Sequence, residues 1–153
     1  MNTVKFSTKQ LNILVEIMHG LGDTVCALSL LKGVRYLYPN ARLTVLCKMN
    51  AGRDIIESSR IPVDEIIVLD VYKDIYITYK TILNLRKHHF DIGISAGITP
   101  VKKSKLFMKL CGVKKHIGFQ ASGTNKYDYD IHFVEANVRT LGLDFSDKFR
   151  PQL

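Results

Sequence analysis

Apolar positions along this chain switch repeatedly between two rhythms. A β-branched and leucine-rich run, LNILVEI (11–17), reads as a strand buried on both faces, and apolar residues then recur at helical spacing from about Asp23 to Tyr38. Pro39-Asn40 stops that helix. Further strands are predicted at ARLTVLCK (41–48), DEIIVLD (64–70), FDIGISAG (90–97) and KHIGF (115–119). Between them lie helices at AGRDIIESS (51–59), from Ile75 to His88, and at 102–111, the last ending at Gly112. The 75–88 helix sets Ile75, Tyr79, Ile82, Leu83 and Leu85 against Lys80, Arg86 and Lys87. After Phe119, QASGTNKYDYD reads as a loop and FVEANVRTLGL (133–143) as a last helix. Strands alternating with helices in this way imply right-handed crossovers, so the chain is predicted to be α/β, a parallel sheet with helices on both faces.

Composition narrows the setting. At 153 residues and 46% hydrophobic, the chain can bury the core of one domain, expected over 11–145 after a polar extension at 1–10. DFSDKFRPQL ends in polar residues and Pro151, so 146–153 is expected to begin a linker. The N-terminal residues lack the apolar core of a secretory signal, and no run approaches the roughly 20 apolar residues of a membrane span. Cys26, Cys47 and Cys111 are odd in number and far apart with no C-x-x-C pair, which argues against disulfides or zinc and fits a cytoplasmic setting. The net charge of +8 favours an anionic partner, with lysines gathered in VKKSKLFMKLCGVKKH (101–116). Their spacing equally suits the solvated face of a helix. No signature of an RNA-recognition, KH or helix-turn-helix module accompanies the charge, so nucleic acid rests on charge alone.

The loop HGLGDTVCAL (19–28) carries the candidate chemistry, because ligands of open parallel sheets bind beyond the carboxyl ends of the strands. It departs from a dinucleotide fingerprint: Gly20-Leu21-Gly22 has no third glycine, Asp23 would repel a pyrophosphate at the helix start, and the second strand ends in Cys47-Lys48 rather than an acid. No Lys-Ser or Lys-Thr follows the glycines, so it is not a P-loop. What remains is a glycine turn presenting one carboxylate. Asp23 is either the N-cap of the helix or a general base facing the cleft, and the two roles are compatible.

These residues resemble the opening of the heptosyltransferase-like glycosyltransferases, family 9. The likeness begins with I13-L-V-E-I-M-H-G-L-G-D23, an apolar helix, and Y38-P-N-A-R-L-T-V-L46. It continues through V63-D-E-I-I-V-L-D70, H89-F-D-I-G-I94, L110-C-G-V-K-K-H-I-G-F119 and V134-E-A-N-V-R-T-L-G-L143, so it covers about 11–153 in order. It implies a Rossmann-like domain forming the N-terminal, acceptor-binding half of a GT-B fold, with a C-terminal donor domain beyond this chain. The implied reaction is inverting transfer of a sugar from a nucleotide-sugar such as ADP-heptose to the lipopolysaccharide core or another envelope glycan, without metal or further cofactor.

On that resemblance Asp23 is the catalytic base, while Gly20, Gly22, His19, Lys102, Lys103 and Lys105 meet an anionic glycolipid or oligosaccharide acceptor. The implied setting is cytoplasmic, with peripheral contact at the inner face of the cell membrane, and this chain alone is expected to be inactive. Three departures stand out: Ile17 where the family often has Arg, His19 where it has Gly, and Ser95-Ala96-Gly97 in place of D-x-Q-G. They leave the acceptor's identity open. A non-catalytic α/β module, half of a split or decayed enzyme, is the alternative.

Overall fold

The computed structural model describes residues 9–71, 73–96, 101–118 and 132–153. Five strands, β1 (Asn12–Ile17), β2 (Arg42–Cys47), β3 (Glu65–Val68), β4 (Ile92–Ser95) and β5 (Lys115–Ile117), form one sheet in the order β3-β2-β1-β4-β5. Every pairing is parallel, and Glu16 on central β1 lies level with Cys47 on β2 and Ser95 on β4. The helices are α1 (Leu21–Leu37), α2 (Asn50–Ser58), α3 (Ile75–Arg86), α4 (Val101–Leu110) and α5 (Phe133–Arg139). This is the α/β architecture expected from the alternation.

Alternate side chains of β1 divide the core into two layers. Ile13, Val15 and Ile17 meet Ala27, Leu28, Leu31 and Val34 of α1 and Ile56 of α2 on one face. Leu14 meets Leu85 of α3 and Met108 of α4 on the other, together with Phe90 and Cys111. Gly93 permits the second layer to close: a Cβ there would stand 2.7 Å from the Met108 sulfur and 2.8 Å from a Val113 methyl. Gly93→Ala should therefore cost about 1–3 kcal/mol by overpacking, read from the midpoint of a urea melt.

The ends of the elements differ from expectation by a few residues, each with a local cause. The third helix stops at Arg86, and His89 takes a left-handed backbone with φ of 51° to turn the chain into β4. It starts at a cap missed by the apolar pattern: the Asp74 carboxylate accepts from the amides of Tyr76 (2.8 Å) and Ile77 (3.0 Å). The last helix ends at Arg139, short of 143, with Gly142 at φ of 74°. Beyond it, a 3-10 turn at Asp147–Phe149 docks on α1 through Phe149, buried with its ring edge-on to Tyr36. The expected strand end at Phe119, the loop QASGTNKYDYD and most of the N-terminal extension lie outside the described residues. All three cysteines are free. Among the described residues, no helix is long and apolar enough to cross a membrane.

The amphipathic reading of α3 needs correction. Only Leu85 is fully buried in it, while Ile75, Tyr79 and Leu83 are exposed. Its apolar residues exceed what one buried stripe against the sheet can cover.

Candidate active site

The strand order reverses between β1 and β4. From β1 the chain runs outward through β2 to β3, then crosses back to β4 and continues to β5. Connections therefore diverge at the carboxyl ends of β1 and β4, with α1 on one face of the sheet and α4 on the other. Such a divergence opens a crevice, the usual ligand position in open α/β sheets.

The HGLGD loop lies at that divergence, between the end of β1 and the start of α1. Helix α1 starts at Leu21, and its N-cap is Gly20, in extended backbone with φ of −69° and ψ of 179°. Asp23 is thus not the N-cap, which corrects one of its two expected roles: it lies inside the first turn, half-buried. The turn is closed by Thr24, whose amide and hydroxyl both donate to the Gly20 carbonyl, at 3.0 and 2.9 Å. A carboxylate in a first turn interacts favourably with the helix dipole without capping it. Gly20 and Gly22 are not required for backbone shape, since the glycines with left-handed φ among the described residues are Gly112 and Gly142. A Cβ on Gly22 would meet nothing within 4 Å, and one on Gly20 would stand 4.0 Å from an Asp23 carboxylate oxygen, so neither glycine is crowded.

Asp23 has charged and titratable company. His19 is half-buried, and burial holds its imidazole below the ordinary range; Asp23 opposes that shift and Lys48, just beyond β2, reinforces it. The three side chains share one electrostatic environment at the carboxyl ends of β1 and β2. The shift favours the neutral imidazole, which donates at one ring nitrogen and accepts at the other.

Between the sheet and α4 lies a buried polar cluster that the apolar pattern concealed. Glu16 is 5% exposed in the middle of the central strand. Its Oε2 accepts from the hydroxyls of Ser95 on β4 (3.0 Å) and Ser104 on α4 (2.8 Å), which also touch each other. Nε2 of His116 on β5 lies 2.8 Å from the Ser95 oxygen and 3.4 Å from that of Ser104. With both hydroxyl hydrogens directed at Oε2, Nε2 carries the ring hydrogen and donates to Ser95. Burial raises the Glu16 carboxyl above its ordinary range despite both serine bonds, and burial, with a smaller push from Lys105, lowers His116. The one sequence signal was an acid inside a fully apolar run, because a buried carboxylate demands partners.

The expected acceptor lysines, Lys102, Lys103 and Lys105, are exposed on the first turns of α4. They share the carboxyl edge with Asp23 but stand on the opposite face of the sheet from α1. Gly97, expected just before them, lies outside the described residues. Among the described residues no group of three or more His, Cys, Asp or Glu side chains is placed to hold a metal ion.

Comparison with known proteins adds the fold. The sequence matches no family model and no curated protein. Solved structures do match: "E. coli ADP-heptose lps heptosyltransferase II" superposes with a TM-score of 0.64 at 20% identity, over 86% of this chain and 40% of that one. A glycosyl transferase family 9 protein from Veillonella parvula gives 0.65 at 16% identity, over 90% and 42%. E. coli heptosyltransferase WaaC with ADP gives 0.65 at 18% identity, over 86% and 47%. This chain spans less than half the length of each of these structures, and its five-stranded fold is that of one Rossmann-like half of such GT-B glycosyltransferases.

Proposed function

We propose that this domain is the acceptor-binding half of a heptosyltransferase-like glycosyltransferase, working with a second domain that binds the nucleotide-sugar. The observation that carries the reading is the Asp23 carboxylate at the divergence of β1 and β4, beside His19 and Lys48, with open space at Gly22. The acceptor is a glycan with acidic or phosphate groups, carried on an envelope glycolipid at the inner membrane face. Its hydroxyl sits against Asp23, and neutral His19 orients it by a hydrogen bond. As the hydroxyl oxygen bonds to the anomeric carbon, its proton passes to the Asp23 carboxylate and the nucleoside diphosphate leaves from the opposite face. Lys48, with Lys102 and Lys105 across the edge, supplies positive charge for the acceptor's anionic groups.

Acceptor binding does not require the donor domain, so the reading is testable on this chain. Titration with a phosphorylated inner-core oligosaccharide should move the amide signals of Gly20, Gly22 and Asp23 and the ring signals of His19 in heteronuclear NMR spectra. Shifts confined to α5 and the C-terminal turn, with the 19–23 loop silent, would refute it.

A further inference from the structure

The net positive charge of this protein comes from one part of it. Residues 75–118 contain nine Lys and Arg against Asp91 alone, a net +8 equal to that of the whole chain, and elsewhere thirteen basic residues balance thirteen acids. The segment builds α3, β4, α4 and β5, and both of its helices cover the same face of the sheet. Arg86, at the end of α3, ties the two helices together by donating to the Leu110 carbonyl at the end of α4 (3.1 Å).

The same two helices present apolar side chains outward. On α3, Ile75 (87% exposed), Tyr79 and Leu83 follow one another at intervals of four, flanked by Tyr76 and Ile77. Leu106 (59% exposed) and Leu110 repeat that interval on α4. Cations are interleaved: the Lys80 ammonium lies 4.5 Å from the centre of the Tyr76 ring, and Lys102, Lys105 and Lys109 are exposed around the α4 pair.

We propose that the outer face of α3 and α4 is a docking surface for an anionic lipid bilayer. Isoleucine, leucine and tyrosine at a helix surface suit the boundary between headgroups and acyl chains, while lysine stems reach back to the headgroup phosphates. Three other occupants fit less well. A second copy would bring two lysine-bearing faces together, which repel. A nucleic acid would use the lysines and the tyrosine rings but leave Ile75, Ile77, Leu83, Leu106 and Leu110 in water. A neutral apolar partner surface would leave the lysines unmatched.

The docking surface deepens the proposed function, whose glycolipid acceptor lies in a membrane, but its test uses no glycan, so the two readings can fail separately. Its test is co-sedimentation of the full chain with phosphatidylcholine vesicles, with or without 30% phosphatidylglycerol. The expected result is binding to the phosphatidylglycerol vesicles only, weakened by 0.5 M salt. Ile75→Ser with Tyr79→Ser, and separately Lys80→Glu with Lys109→Glu, should each lower partitioning at least ten-fold while leaving the far-UV circular dichroism unchanged, as all four side chains are exposed. Failure to bind either vesicle, or variants that sediment like the parent, would overturn the proposal. So would binding to a random oligonucleotide with no vesicle binding.

Discussion

Replacing Asp23 by asparagine should lower sugar transfer by about 10²–10⁴-fold, the range a positioned base contributes, in an enzyme assembled from this chain and a nucleotide-sugar-binding domain. The substitution keeps size and hydrogen-bonding shape but removes the site that takes the proton. The structure sharpens the test because it separates chemistry from folding. Gly20, not Asp23, occupies the cap position, so no cap is lost, and the missing charge in the first turn costs only about 0.3–1 kcal/mol. Far-UV circular dichroism and donor affinity should match the parent, and the loss should fall on kcat rather than on acceptor affinity. A variant within three-fold of the parent in single-turnover rate would place the base elsewhere.

How far the sequence revealed this arrangement depended on which signals were local. The parallel sheet was legible because each strand is a short buried run flanked by helical spacing, as LNILVEI and the Leu21–Leu37 helix show. The HGLGD loop was legible because it follows the central strand, where this topology places ligands. Assignment of the cap to Asp23 failed because Gly20 caps the helix three residues before the first strongly polar side chain within it. The exposed face of α3 was misread for a different reason: spacing shows which side chains share a stripe, not whether anything covers that stripe. Glu16, Ser95, Ser104 and His116 were illegible as a group, since they come from β1, β4, α4 and β5 and meet only in the folded chain.

That cluster should dominate the stability of the junction between the sheet and α4. Glu16→Ala would strip the buried Ser95 and Ser104 hydroxyls of their common acceptor and leave a cavity, a loss of about 2–5 kcal/mol. Glu16→Gln retains an oxygen for both serines and should lose far less. The two substitutions also separate geometry from charge. Burial raises the folded-state Glu16 carboxyl above its unfolded value of 4.5, so its contribution is fully present below that pH and is lost as pH rises through the folded value. His116 runs the opposite way: burial lowers it beneath 6.5, so its contribution is present above 6.5 and lost as pH falls through the folded value. Urea melts from pH 4.5 to 8 should therefore show the parent losing stability relative to Glu16→Gln as pH rises, because the glutamine has no charge to bury. A parent and glutamine variant with parallel pH profiles would mean that Glu16 ionises as readily in the fold as in water, and the cluster would then be a polar packing element without electrostatic cost.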